Sequence, residues 1–496
     1  MTGFAEVARL AADWPPERSE AATRIPAATL RDMVAAYRGA RGAALYSSTG
    51  VNMGGNGTLA FWLQEVINAV SGNLDRLGGT LVGRGIFDFP AFGVKHGVLM
   101  SDETSRIGGI GKVNDAFPGG VLADEILTPG DRQVRALFVT GGNPLVTMAN
   151  SGRLRAAFEQ LELLVTLEIF RNETGSLAHY ILPCTTPLER PDLPFIFPLM
   201  LGLQSRPYLQ ATERVLRPAG AQRDEASIYV ELARACGVSL FGSRAAQKGL
   251  EVAMRLYSAA HRDEPPAIPQ RLLLSLLLRA TRHGSFRELL AHPHGLRRPP
   301  HRADDFLGQR VVTDDGKLHL APAPLLAQAA KLDADFAREC AGAGQLKLIT
   351  RRQVHTHKSW THNDADLVSG GRHTNFLYVH PADAAHAGLT DGALADVTSA
   401  VGRVRVPVRL LDDLMPGTVA LPHGWGHQHA TGLGVASKTS GVNVNLLAAD
   451  GPAQLEQVSG MAHLTGIPVA VQPAAGPQAT GSWSGIDADA AATRSA

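Results

Sequence analysis

The segment that most restricts the fold is VRALFVT, Val134 to Thr140, which runs directly into Gly141-Gly142-Asn143-Pro144. A continuous apolar run broken by a Gly pair and a proline reads as a buried parallel strand that ends in a tight turn. A helix follows around Arg153 to Leu161, then a second strand, LLVTLEIF (Leu163 to Phe170), and another, HYILP, ending at Pro183. Upstream, ALYSS (Ala43 to Ser47) reads as a short strand before the loop TGVNMGGNG. A helix then starts near Thr58, its N-cap, and stops at Gly72, with Leu59, Leu63, Val66 and Val70 on one apolar face. Strands alternating with helices, with Gly loops at the strands' carboxyl ends, predict a doubly wound, Rossmann-like α/β domain over residues 1–240.

The pattern changes twice beyond that point. Residues 241–343 hold helical stretches such as Gln270 to Thr281, interrupted by EPPAIP and LRRPPHR, and read as a helical bridge or insertion. Residues 344–472 are rich in short strands. GRVRVPVRL alternates strictly, with Val404, Val406, Val408 and Leu410 on one face and Arg403, Arg405 and Arg409 on the other. Further strands are expected at Lys347–Thr350, Leu377–Val379, Ala393–Thr398 and Thr418–Leu421, which together suit a small closed barrel. The small, polar tail 473–496 is expected to be disordered.

Composition narrows the function classes. The 496 residues are 45% hydrophobic and 19% charged, as in soluble globular proteins of several domains. Forty-seven basic against 46 acidic residues give a net charge of +1, so no general field attracts nucleic acid or an anionic membrane. The most apolar segment, Leu272 to Leu278, is too short to span a bilayer. Cys184, Cys236 and Cys340 form no C-x-x-C, which argues against a disulfide framework and against an iron–sulfur or all-cysteine zinc site built by this chain alone. Three lone thiols and an N-terminus that carries Glu6 and Asp13 without an apolar run lead to the expectation of a cytoplasmic protein.

Three segments could carry chemistry. The Gly pair of GGNP lets backbone N–H groups approach a phosphate, or is simply a turn after a buried strand. Glu168, near the end of the next strand, stands where such folds place an acid for a nucleotide's ribose or base, or is an ordinary solvated carboxylate. His355, His357, His362 and His373, with His423, His427 and His429 of PHGWGHQH, have spacings that could hold zinc, although no H-E-x-x-H is present. Gly424 and Gly426 around Trp425 read instead as a loop draped over a flat organic ligand; exposed histidines are the bland alternative. Asn443 and Asn445 in GVNVNLL share a face if extended, and their amides offer the donors and acceptors that suit a pterin or guanine, or cap turns.

The order of these segments resembles the molybdopterin oxidoreductases of the dimethyl sulfoxide reductase family. The counterparts of that family's motifs are FVTGGNP, LLVTLEIF, NETGSLAHYILPCTTPLER and VSGNLDRLGG (Val70 to Gly79). LYVHPADAAHAGLTDGALADVTSAVGRVRVPVRLLDDLMPGTVALPHGWG is similar to its dinucleotide-binding domain, a double-psi barrel. The likeness covers roughly residues 25–240 and 345–472. It implies a bis-molybdopterin guanine dinucleotide cofactor with molybdenum or tungsten, and a small-molecule substrate. Gly141, Gly142, Asn143 and Pro144 would line phosphates and Glu168 would hold a guanine. In VHTHKSWTHN, His357, Ser359, Trp360, His362 and Asn363 would touch the pterins, joined by Asn375, His423 and Asn445. His179 replaces the family's usual Asp, and Cys184 is not a metal ligand because it lies in the LPC position.

In the family, a cysteine motif for a [4Fe–4S] cluster and a protein ligand to molybdenum precede the strand that here starts at Ala43. The resemblance therefore implies the carboxyl-terminal part of such an enzyme, with the iron–sulfur and metal-ligand portion supplied by a longer frame or a separately encoded partner. Two other readings stand beside it: a non-catalytic cofactor-binding or scaffold subunit, or a remnant, that lacks the metal ligand, and a zinc-dependent hydrolase that uses the histidine clusters.

Overall fold

Among the described residues thirteen strands organise the fold: β1 (Met100–Thr104), β2 (Gly111–Val113), β3 (Ala136–Thr140), β4 (Leu163–Glu168), β5 (Tyr180–Pro183), β6 (Tyr208–Leu209), β7 (Leu296–Arg297), β8 (Leu346–Arg351), β9 (Leu377–Val379), β10 (Leu394–Thr398), β11 (Arg403–Leu410), β12 (Thr418–Pro422) and β13 (Ile467–Pro473). The computed structural model describes residues 1–97, 99–353, 357–369 and 372–475. The expected disordered tail lies, from residue 476 on, outside the described residues, as does His355.

β3, β4 and β5 form a parallel sheet in that order, with Phe138, Val165 and Tyr180 in one row. Its two faces bury different helices. Val139 and Leu164 pack with Leu154, Ala157 and Phe158 of the helix Ser151–Phe158, and with Ile126 of Leu122–Leu127. Val165 and Leu167 pack on the other side against Ile228 of Glu225–Ala235. Helices thus cover both faces, as the apolar runs imply, because a strand apolar at every position needs cover above and below. The strand order follows the chain and contains no reversal, so among the described residues the sheet lacks the switch point of a doubly wound fold.

ALYSS belongs to no strand. Side-chain amides satisfy its backbone: Ala43 N–H donates to Asn73 Oδ1 at 3.1 Å and Leu45 N–H to Asn68 Oδ1 at 3.0 Å, while Asn68 Nδ2 returns a bond to Leu45 O. The following helix, Gly57–Val70, is preceded by Asn56 rather than capped by Thr58, whose hydroxyl instead donates to Glu456. Gly72 does end it, at φ +71°.

The second half closes into a six-stranded barrel of order β10-β11-β9-β12-β8-β13, with parallel pairs β11–β9 and β12–β8. Val404, Val406 and Val408 point inward and are buried with Leu348, Leu377, Val419 and Leu421, as the alternation requires. Residues 241–343 carry helices at both ends, with Arg244–Ala260 and Gln270–Ala280 the longest, while 291–322 run as turns and irregular chain around β7. They are not a separable unit. Leu278, Phe286 and Leu289 share a core with Ile86, Leu199 and Leu209, and Leu320 and Ala329 share one with Val7, Leu59 and Trp62. Among the described residues no helix is long and apolar enough to cross a membrane.

Candidate functional site

The turn after β3 lies where the parallel sheet meets the barrel. Gly141 takes φ +57°, a conformation glycine adopts without steric cost, and its N–H donates to Leu167 O at 2.9 Å. No atom stands within 4 Å of where a Cβ on Gly141 would sit, so the space in front of the turn is open. Asn143 follows, buried, with its amide turned inward. Its Oδ1 accepts from Thr174 N–H at 3.3 Å and Thr174 Oγ1 at 2.9 Å, and its Nδ2 donates to Glu173 Oε2. Pro144 opens the next helical turn.

Glu173 is the hub. It begins the short helix Glu173–Leu177, whose N-cap Asn172 accepts from Gly175 N–H at 2.9 Å. Its Oε1 lies 2.9 Å from Nδ1 of His427, and His427 Nε2 lies 3.1 Å from Gly424 O. His362 points Nδ1 at the same carbonyl, 3.0 Å away, with its ring edge-on to Trp425 and His427. Glu173, His362, Trp425 and His427 are all buried. Burial acts to raise the pKa of Glu173, but the hydrogen bond and charge of His427, with the amide of Asn143, outweigh it and hold the carboxyl below its ordinary range.

A second seam runs beside this relay. Asn443 Nδ2 donates to Leu145 O and Ser151 Oγ, and Asn445 Nδ2 donates to Val146 O at 2.7 Å. Both barrel asparagines therefore grip the backbone just after the Gly pair. Between the two halves lies a cleft of about 440 Å³, whose lining includes Arg155, Glu173, Arg403, Gly426, His429 and Asn443.

The remaining predicted residues fall around the same loops. Ser359 is buried, while His357 and Trp360 are exposed. His423 sits half-buried; burial, then the cations of Arg352 and Lys358, push its pKa down to about 4. Burial and Arg352 also depress Lys358. Among the described residues no ion pair joins Arg352, Lys358 or His423 to a carboxylate, so the positive groups here act on one another. Asn363 Oδ1 accepts from Val435 and Ala436 N–H. Asn375 donates to Pro422 O and Val442 O and accepts from Val442 N–H, so its amide is used in closing the loop. Glu168 ends β4 buried, accepting from its neighbour Ile169 N–H; burial raises its pKa. Burial pushes the Cys184 thiol up to about 12, which leaves it unreactive. His179 turns away: its Nδ1 accepts from Leu164 N–H at the opposite end of the sheet. Among the described residues no three His, Cys, Asp or Glu side chains converge as a metal site.

Residues 8–235 match the molybdopterin oxidoreductase family, and residues 346–465 match the molydopterin dinucleotide binding domain. The chain belongs to the molybdopterin oxidoreductases of the dimethyl sulfoxide reductase family. Trimethylamine-N-oxide reductase of Haemophilus influenzae is 25% identical over 455 residues, covering 83% of this chain and 53% of that protein. Dimethyl sulfoxide/trimethylamine N-oxide reductase of Cereibacter sphaeroides is 22% identical over 479 residues, covering 86% and 53%. The chain thus spans about half the length of these curated relatives. Acetylene hydratase from Pelobacter acetylenicus shares the fold, with a TM-score of 0.70 at 19% identity over 95% of this chain and 66% of that one.

What sequence reasoning missed is the Glu173–His427 pair. Both residues stand in quoted motifs, NETGSL and HGWGHQH, but they are 254 positions apart, and only the fold brings them together.

Proposed function

We propose that this chain cradles a bis-molybdopterin guanine dinucleotide cofactor, with molybdenum or tungsten, for a small-molecule oxidoreductase. The observation that carries the reading is the buried relay Asn143–Glu173–His427, which ties the Gly-Gly turn to the barrel loop beside an open cleft. When bound, the cofactor supplies the transfer of an oxygen atom, hydride or electrons. The chain's own groups bind and orient it. Gly142 presents its backbone N–H to a diphosphate in the space that the Gly141 turn leaves open, and Arg155 and Arg403, each already paired with a carboxylate, line the cleft beside it. Glu168, at the carboxyl end of β4, accepts from the guanine's N–H donors. Arg352, Lys358 and His423 meet the anionic pterin face with Ser359 and Trp360 beside them, and His357, His362 and Asn363 complete that wall. Asn375 and Asn445 act by fixing the loops, since their amides already serve the protein backbone. The interleaved parallel pairs of the barrel suit a double-psi topology.

In this reading the [4Fe–4S] cluster and the protein ligand to the metal come from polypeptide beyond this chain, which its half-length match to the relatives supports. A cytoplasmic setting belongs to the same reading. The test is nucleotide content. Protein co-produced with that further portion releases guanine nucleotide on acid hydrolysis, whereas Gly142→Val, whose side chain would stand in the space offered to the phosphates, releases little. Gly142 has ordinary backbone angles and no close neighbour, so the variant keeps its barrel and its circular dichroism. Equal guanine from both proteins overturns the assignment of that turn.

A further inference from the structure

The basic stretch around LRRPPHR plays no part in the cradle. Its strand β7 pairs antiparallel with β6, with Arg297 opposite Tyr208 and Leu296 opposite Leu209. A cleft of about 590 Å³ opens there, lined among others by Arg206, Tyr208, Gln210, His294, Arg297 and Arg298, and its lining contains no Asp or Glu. The volume lies within the range of small-molecule sites. Among the described residues neither Arg206 nor Arg297 has an ion-pair partner, although Arg106, Arg153 and Arg214 each engage a carboxylate. In a chain of net charge +1, this concentration of unpaired cations is local.

The frame around these cations is rigid. Arg298 donates through its two terminal nitrogens to Arg84 O at 3.1 Å and Gly85 O at 2.7 Å, and its backbone N–H donates to Pro207 O. Its Nε is buried and has no hydrogen-bond partner among the described residues. Gly295, at φ +73°, lets β7 close on β6: a Cβ there would stand 2.5 Å from Leu209 O. Pro207, Pro293 and Pro300 stiffen the walls. Burial, then the charge of Arg84, lowers the pKa of Arg298, the sign of cations crowded without a counter-charge. Guanidinium forks matched to planar or tetrahedral oxyanions relieve such crowding, and a preformed wall lowers the ordering cost of binding.

We propose that this cleft is a binding site for a small polyanion bearing phosphoryl or carboxylate oxygens, separate from the cofactor cradle. Its β7 wall lies outside both family-matched ranges. Inorganic pyrophosphate and citrate are the probes, titrated into the full chain by calorimetry and followed by Tm, with sodium chloride at matched ionic strength as control. At least one of them binds above the salt control, and whichever binds more tightly assigns the oxyanion class. The Arg206→Gln/Arg297→Gln double variant, altered only at exposed side chains, keeps its fold and binds about tenfold more weakly or worse. Gly142→Val binds the probe like the parent protein. Three results overturn the proposal: no binding beyond the salt control, undiminished binding by the double variant, or loss of binding in Gly142→Val, which would place the anion at the cofactor turn.

Discussion

Glu173 concentrates the chemistry of the interface in one carboxylate. It accepts from Asn143 on one side and faces His427 on the other, with no water-exposed face to fall back on. Glu173→Ala leaves a buried imidazole and a buried amide without their partner. Loss of about 3–5 kcal/mol in urea unfolding is therefore expected. Glu173→Gln keeps the shape but offers a single acceptor where two donors converge, and should cost about 1–3 kcal/mol. Equal stability of the two variants would show that the relay is not the joint between the halves. The same residue marks the limit of sequence reading at this scale. Polar side chains could be picked out, yet which group each one serves is decided by the fold. Asn375 and Asn445 look like ligand amides in the sequence and turn out to hold Val442 and Val146.

Among the elements, the β10–β11 pair shows how a polar outer face is managed. Asp396 stands opposite Arg405 in register, and both Arg405 and Arg403 bond its buried carboxylate. Arg405, then Arg403, hold its pKa at about 2. Against an unfolded value of about 3.9, this depressed pKa stabilises the barrel above that value, and the contribution fades as pH falls toward the folded one. Thermal unfolding of the parent protein should weaken steeply from about pH 4 to pH 2. Asp396→Asn should flatten that part of the profile; an unchanged slope would assign acid sensitivity to other carboxylates. The alternation that buries Val404, Val406 and Val408 was legible in advance, because a period of two leaves only one face for the core. The continuous strands of the sheet were equally plain. ALYSS misled because it has the composition of a strand but bonds to the amides of Asn68 and Asn73, a pairing that no local pattern encodes. The reversal expected of a doubly wound sheet is likewise a matter of strand order, which periodicity does not carry.

Taken as a whole, the molecule divides differently from its composition. The barrel core draws its buried members from residues 348–469, with Ala149 added from the α/β half. By contrast, the first helices share their core with Leu320 and Ala329, across the segment that reads as a bridge. A fragment spanning residues 344–475 should accordingly unfold as a cooperative β-rich unit in circular dichroism. Deleting 241–343 should leave the remaining chain without a cooperative transition for its helices. A sharp helical melt in the deletion variant would refute the shared core. The closed barrel also presents no free strand edge, whereas β3 pairs with β4 on one side and with no strand on the other among the described residues. Its outer row of N–H and C=O groups is a template for any extended segment that drifts near. Self-association of partly opened chains will consequently start from that border of the parallel sheet, and a lysine or proline placed along it is where solubility is most readily gained.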